Sequence, residues 1–593
     1  MARNPSPALD RPWRRPGALR YALERVRGVA KPPITVTDPP ADVVIERDVE
    51  VPTRDGTLLR INVFRSAEGG ARPVIASIHP YGKDALPRRR GNRWTFSPQY
   101  RMLRQPKPLT FSALTGWEAP DPAWWTAQGF VVVNADSRGC GRSDGTGDLL
   151  SHQEAEDTYD LVGWLADQSW SDGRVVMLGV SYLAISQYAV AALQPPALRA
   201  ICPWEGFTDA YRDLAFPGGI RESGFTRLWS RGVRRRTRQT YDMEQMQEAH
   251  PLRDDFWRSR VPDLSAIKVP MLVCGSFSDN NLHSRGSIRA FTRSGCGHAR
   301  LYTHRGGKWE TFYSATALSE QLKFLRDALA GSSGSRSVRL EVREDRDTIT
   351  AVREETQWPL AGTRWRPMYL AGPGLLATEP PPTAGSIRFQ TRSRAAAFNW
   401  TIPEDIELTG PMAARLWVQL DGCDDANLFV GVEKWRDGQF VAFEGSYGWG
   451  RDRVTTGWQR VSLRELDPSS RSHGSRSRRV LGPGRSPPAR SSPSMSRLAR
   501  RRHCSAPANS YDWWLADAGC PPQPAHRPIP GRLPTPAAWS CHAALGPTLR
   551  RAPADTGGPW VARVAERWLT ARVTRAASVT SPSKTPHAVT SPR

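Results

Sequence analysis

The sequence predicts an α/β chain followed by an all-β part. Two apolar runs, GFVVVNAD (129–136) and RVVMLGV (174–180), flank the helix-like EAEDTYDLVGWLADQ (154–168), whose Tyr159, Val162, Trp164 and Leu165 suit one packed face. Strand, helix and strand at this spacing imply a parallel sheet with crossover helices. Beyond residue 331, SVRLEVRE, ARLWVQLDG and NLFVGVEKW alternate with period two, as the strands of a sandwich or jelly roll do.

A Pro/Arg-rich leader (1–35) opens the chain. VVIERDVEVPTRDGTLLRINVFR (43–65) then alternates around Arg54-Asp55-Gly56, the pattern of two strands joined by a tight turn, and PVIASIHPYG (73–82) is a buried strand ending at a Pro-containing turn. VPMLVCGSFSD (269–279) and ARLYTHRGG (299–307) read as later strands, each ending in a polar loop, and SATALSEQLKFLRDALAG (314–331) reads as a closing helix. The Arg-rich, largely helical stretch 205–261 has no strand signal and is expected to cap the sheet. The expected organisation is a sheet domain of 36–204 and 262–331 with that cap inserted, a partial β domain at 332–467 and a tail at 468–593.

At 593 residues the chain can bury a large core. Its net charge of +24 would ordinarily point to nucleic acid or an anionic membrane, but from Pro468 onward there are 20 Lys+Arg against 4 Asp+Glu, so the remainder is only mildly basic. That tail, rich in Arg, Ser and Pro, has the composition of disorder. The eight cysteines (Cys140, Cys202, Cys274, Cys296, Cys423, Cys504, Cys520, Cys541) form no C-x-x-C pair, which argues against structural zinc or a disulfide framework and fits a reducing cytoplasm. No apolar stretch approaches a membrane span or a signal peptide. The expectation is a soluble cytoplasmic protein without nucleic-acid or membrane partners; a homo-oligomer is compatible with the sequence.

Chemistry concentrates around Ser181 in LGVSYLA. A serine at a sharp strand-to-helix turn is held above the sheet edge, and the next N–H, on Tyr182, points at the same spot with the helix N-terminus behind it. Gly179 stands two before Ser181, but Leu183 stands where G-x-S-x-G has its second glycine. The order Ser181, Asp279, His304 matches the Ser, acid, His order of α/β-hydrolases, with Asp279 and His304 in strand-end loops. An imidazole would take the hydroxyl proton and a carboxylate would orient the imidazole. Asp279 in SDNN also suits an ordinary turn, His283 and His298 compete with His304, and Tyr81 after His79-Pro80 is either a loop tyrosine or a second oxyanion donor.

Residues 43–330 resemble the CocE/NonD-type hydrolases, the α/β-hydrolase family of cocaine esterase, α-amino-acid ester hydrolases and X-Pro dipeptidyl-peptidases. The resemblance rests on RDGTLLRINVFR, HPYGK, NADSRGCGRSDG, EAEDTYDLVGWLADQSWSDG, LGVSYLA, CGSFSDNN and YTHRGGKW in that order. It implies an α/β-hydrolase fold and a C-terminal jelly roll whose first part residues 332–467 resemble; with the cap and tail read from composition, the expected fold is an α/β-hydrolase with a helical cap, then an incomplete jelly-roll domain and a disordered basic tail. The resemblance also implies Ser181 as nucleophile, Asp279 as acid, His304 as base, and the Tyr182 N–H and Tyr81 hydroxyl as oxyanion hole. No cofactor or metal is called for; the substrate would be a small ester or short peptide. Two departures stand out: Ala184 replaces the family's last glycine, where its methyl is expected to crowd helix against sheet, and Phe277 stands where the family has Trp.

The final strands of the family's jelly roll are missing from the tail as it stands. Read from the third base of each codon, 489–517 can encode EIVPVDVAPGTTSPLFRAGEQLRLVVGR, which restores alternation and an apolar strand. A frameshift between about Pro468 and Ala489 is therefore expected, and with it an alternative in which the product is catalytically impaired. The cap arginines, including Arg231, Arg234, Arg235 and Arg236, are expected to form a solvated face before they bind an anionic acyl group.

Overall fold

The computed structural model describes residues 18–464 except 104, 106, 333, 372–373, 391–394, 422 and 446–452, and beyond them 503–507 and 561–573. Ten strands form the main sheet: β1 Val43–Pro52, β2 Leu58–Ser66, β3 Arg72–His79, β4 Val131–Asp136, β5 Ser171–Val180, β6 Leu198–Trp204, β7 Met271–Ser276, β8 Ala299–His304, β9 Ser337–Arg343 and β10 Ile349–Glu355. Their spatial order is β10-β9-β8-β7-β6-β5-β3-β4-β2-β1. The pairings from β4 through β9 are parallel, and β1–β2, β2–β4 and β9–β10 are antiparallel. The RDG turn of the sequence joins β1 to β2.

Continuous apolar strands are what a parallel sheet covered on both faces requires. Successive side chains split between two layers: Val74, Ala76, Val131, Val133, Val175 and Met177 enter one cluster, and Ile75, Val132, Val176, Leu178 and Val180 the other. The crossover helix α1 (His152–Ala166) buries Leu161, Val162 and Leu165 in the first cluster, and Ser151 caps its start by accepting the Glu154 N–H. Helix α2 (Tyr182–Ala192) follows the turn after β5.

The segment expected as a cap contains a π-helical turn (Tyr211–Ala215), helix α3 (Phe225–Arg234) and helix α4 (Met243–Ala249). Arg231, Arg234, Arg235 and Arg236 are exposed, and Arg234 pairs with Asp242 at 2.5 Å, so this is a solvated face. After this segment come α5 (Ser284–Arg293), α6 (Lys308–Phe312) and α7 (Ala315–Leu329), the last matching the expected closing helix. Part of the leader is structured: Ala18–Ala30 is helical, and Ile34–Thr37 pairs in parallel with Leu109–Ser112.

The β part begins differently from expectation, because SVRLEVRE forms β9, which extends the main sheet beside β8. A separate sheet contains Arg364–Leu370, Leu376–Ala377, Ser386–Gln390 and Ala413–Asp421. Two tail segments also depart from the expected disorder: His503–Pro507 and Val561–Val573 pair antiparallel with Ala413–Asp421 in that sheet. The remaining tail, where the frameshift is expected, lies outside the described residues.

Ala184 does not crowd the sheet. It is fully buried in α2 and faces Gly206, where a Cβ would come within 2.8 Å of the Ala184 methyl. The space removed by the alanine at one position is returned by a glycine at the other. Phe277 likewise finds a ring partner in Trp358, with centroids 5.8 Å apart. Gly206→Ala is therefore expected to lower stability by about 1–3 kcal/mol through overpacking, and adding Ala184→Gly should recover part of the loss, since the Tyr188 ring and the Ala184 backbone still meet the new methyl. Urea denaturation of the two single variants and the double variant measures the coupling.

Candidate active site

The carboxyl ends of β3, β5, β6, β7 and β8 converge on one edge of the sheet, where parallel α/β sheets place their sites. Ser181 leaves β5 with φ +59° and ψ −113°, a conformation rarely adopted by a residue with a side chain. The turn is held by its neighbours: the Ser181 N–H donates to Trp204 O at 2.9 Å and the Val180 N–H to Glu118 O at 3.0 Å. A Cβ on Gly179 would lie 2.5 Å from the Leu183 Cβ, so this tight crossing of strand and helix needs glycine. Tyr182, the first residue of α2, has an N–H that no earlier helical turn can accept.

The loop from β7 into α5 brings Asp279 and His283 together, four residues apart at the helix start. Ser181 Oγ lies 3.1 Å from His283 Nε2, and His283 Nδ1 lies 2.5 Å from Asp279 Oδ2. Asp279 and His283 are almost wholly buried, and the Phe207 ring stacks on the imidazole with centroids 6.0 Å apart.

His304, expected as the base, is placed elsewhere. Its Nε2 is 3.0 Å from Glu205 Oε1, and its Nδ1 accepts the Gly306 N–H at 3.2 Å. Both ring nitrogens are thus engaged away from Ser181. The physical reason is position: Ser276 and His304 are register partners at the ends of β7 and β8, so His304 is still within the sheet. His283, one of the competing histidines in the sequence, takes the place beside the serine; His298 contacts Gly334 O at 2.8 Å on the exposed side of the molecule.

Tyr81 follows β3, its N–H donating at 3.2 Å to the Nδ1 of His79, whose Nε2 lies 2.7 Å from Asn134 Oδ1. Burial lowers the His79 pKa to about 4, so a neutral ring holds this turn. The Tyr81 hydroxyl accepts the Trp229 indole N–H at 3.1 Å, and its ring meets Tyr182 edge-on at 6.0 Å. Trp229 belongs to α3, so the inserted segment reaches this edge of the sheet.

Three groups here carried no sequence signal. Glu118, buried and at φ +63°, sits beside Ser181, and burial pushes its carboxyl up to about 8. Glu205, just past β6, and Lys308, which opens α6, are also buried. Lys308 Nζ lies 2.9 Å from Asp279 Oδ2, 3.0 Å from His283 Nδ1 and 3.6 Å from Glu205 Oε2. Glu205, Asp279 and His283 are close enough to hold a metal ion, as are Glu205, Cys274 and His304. The first of these sets already encloses the Lys308 ammonium, which supplies the positive charge that such a donor set demands.

Comparison with known proteins agrees with this architecture. Residues 55–307 match the model of the X-Pro dipeptidyl-peptidase (S15 family), and residues 333–488 match the X-Pro dipeptidyl-peptidase C-terminal non-catalytic domain. The chain belongs to the CocE/NonD-type, X-Pro dipeptidyl-peptidase-like family of α/β-hydrolases. A CocE/NonD family hydrolase from Staphylococcus aureus superposes with a TM-score of 0.74 at 28% identity, over 90% of this chain and 94% of that one. An α-amino acid ester hydrolase shares the fold, with a TM-score of 0.55 at 15% identity over 92% of this chain and 98% of the other. Cocaine esterase from Rhodococcus sp. (strain MB1 Bresler) is 25% identical over 409 residues, which is 56% of this chain and 63% of the esterase. This CocE/NonD-type chain thus spans just under two thirds of that relative. Among its described residues no helix is long and apolar enough to cross a membrane.

The raised Glu118 fixes the sign of a pH effect. Glu118 keeps its proton in the folded chain up to about pH 8 but ionises near 4.5 when unfolded, so its contribution to stability falls as pH rises between those values. Glu118→Gln removes that slope. The variant should gain stability over the wild type between pH 5 and pH 8, on the order of a few kcal/mol, as read from urea denaturation at three pH values.

Proposed function

We propose that the chain is a serine hydrolase that cleaves a carboxylic ester or amide through an acyl-enzyme. The observation that carries this reading is the aligned contact of Ser181 Oγ with His283 Nε2 and of His283 Nδ1 with Asp279. Ser181 attacks the carbonyl carbon while His283 accepts its proton, and Asp279 keeps the tautomer that leaves Nε2 free to do so. The oxyanion would be met by the Tyr182 N–H and the Tyr81 hydroxyl, one fixed by the helix start and the other by the turn after β3. His283 then protonates the leaving group, and the same imidazole activates the water that releases the acid. His304 and Glu205 would support the edge of the site without touching the reacting atoms.

Cocaine esterase and the X-Pro dipeptidyl-peptidase family model support small esters or short peptides as substrates. Acyl transfer of this kind needs no metal or organic cofactor. The inserted segment, which places Trp229 over Tyr81 and Tyr182, would act as the cap that decides which acyl groups enter.

A second reading, a catalytically impaired product of a frameshifted gene, draws on the point at which the C-terminal family match stops, residue 488, within the interval where the frame is suspected to change. Labelling by a fluorophosphonate separates the readings. The wild type should be labelled and Ser181→Ala should not. His283→Ala should slow labelling at least about a thousandfold, and His304→Asn by less than about tenfold. A soluble, cooperatively folded wild type that resists labelling would support the impaired product; a His304 variant slower than the His283 variant would return the base to His304.

A further inference from the structure

We propose that Lys308 is a positioning residue that sets the pH range of the catalytic base, acting as an ammonium bridge between Asp279 and Glu205. The proposal rests on the Ser181–His283–Asp279 reading.

The geometry is unusual for a triad carboxylate. Asp279 Oδ2 meets His283 Nδ1 at 2.5 Å and, on the same oxygen, the Lys308 ammonium at 2.9 Å. Lys308 lies 3.0 Å from His283 Nδ1, and both side chains are about 1% exposed. With Nδ1 protonated toward Asp279, that nitrogen has no lone pair to offer, so the ammonium beside it is a charge neighbour and not a hydrogen-bond donor to the ring. Its hydrogen bonds go to Asp279, and 3.6 Å away Glu205 Oε2 balances it from the other side.

Two opposing effects therefore act on the imidazole. Asp279 and, at longer range, Glu205 favour the imidazolium. Burial and the Lys308 ammonium oppose it, and they prevail: His283 titrates below the ordinary histidine range. Asp279 resists the burial that would protonate it because Lys308 and His283 hold it ionised, well below the usual carboxylate range. Glu118 faces the same cluster with its carboxyl neutral below about pH 8, and His304 meets the far oxygen of Glu205. A base must be neutral to accept the serine proton. By disfavouring the imidazolium of the resting site, Lys308 keeps His283 competent at pH values where a triad with an unshared aspartate is already protonated. Its long side chain is suited to this, since α6 begins beyond β8 and only an extended residue crosses back to the loop after β7.

The test is the pH dependence of kcat/KM for an activated short-chain ester, p-nitrophenyl acetate, with fluorophosphonate labelling of the wild type and Ser181→Ala alongside. Lys308→Met removes the charge and keeps much of the bulk. The acid limb should move upward by about one pH unit, so that at a pH below both limbs the variant keeps about tenfold less of its plateau activity than the wild type does. Lys308→Arg, which keeps the charge, should leave the limb near its wild-type position. Should Lys308→Met fail to fold, Glu205→Gln supplies the opposite shift: with one fewer negative charge near the ring, its limb should move to lower pH.

A pH-independent loss in Lys308→Met, with the limb unmoved, would overturn the proposal and leave Lys308 a structural residue; so would a limb in Glu205→Gln that stays or moves upward. Neither result touches the triad reading. That reading fails if the wild type is not labelled, if Ser181→Ala still is, or if His304→Asn slows labelling more than His283→Ala does.

Discussion

Desolvated charge at the carboxyl edge of the sheet is the constraint around which this site is built. Glu205, Asp279, Lys308, His283 and His304 are each at most 1% exposed, and Glu118 is scarcely more accessible. An ion pair so placed must be matched atom by atom, because removing water from an unpaired charge costs several kcal/mol. The matching is visible: Lys308 against Asp279 and Glu205, Glu205 against His304, Asp279 against His283. Glu118, pushed up by burial against the opposing pull of Lys308, meets the constraint by holding its proton. The cluster demands rigid walls, and a sheet with both faces covered by apolar clusters provides them.

The same rigidity explains the elbow. Ser181 is held at positive φ by hydrogen bonds from two directions, Trp204 O on β6 and, through Val180, Glu118 O. Both anchoring residues stand beside the charge cluster: Glu118 is a member of it and Trp204 precedes Glu205. Backbone strain at Ser181 and electrostatics around His283 thus rest on the same few residues. The pairing of Ala184 with Gly206 belongs here as well, because Gly206 adjoins Glu205 and any shift of α2 against that loop would move Ser181 and Glu205 together.

Much of this was legible from residues alone. Apolar runs of six to eight residues located the parallel strands, and the change of period near residue 332 located the β part, although its first strand joins the main sheet because β9 can still pair in parallel with β8. Ser181, Asp279, Tyr81 and Tyr182 stood out because each follows a strand directly, where periodicity ends in a turn. Glu205, Glu118 and Lys308 did not, since a single charged residue in a loop looks the same in sequence whether it is solvated or buried. His283 was visible only as a competitor. The available signal was its spacing from Asp279, four residues along a turn before α5 in which the Leu282 and Ser284 N–H groups both donate to Asp279 O.

The placement of His283 beside Ser181 follows from the spacing of the strands. In spatial order β5, β6, β7 and β8 are neighbours, so Ser181 and a residue at the end of β8 are separated by three inter-strand steps, about 14 Å at the usual spacing. His304 ends β8 and is paired in register with Ser276; no rotamer of an imidazole covers such a distance. Two routes remain for a proton acceptor to reach the serine. The loop after β8 can run back across the edge, which it does as far as Lys308, whose flexible stem carries an ammonium to Asp279. Alternatively the base can be supplied from the nearer loop after β7, where His283 stands just before α5, four residues beyond Asp279. Since a protonated lysine cannot accept a proton, the first route brings charge, and the second brings the imidazole that the proposed mechanism uses as base. The different contacts of Lys308 and His283 are thus a consequence of which loop crosses which strand, and sequence favours His304 over His283 because chain order records the strand a residue follows but not how far that strand lies from Ser181.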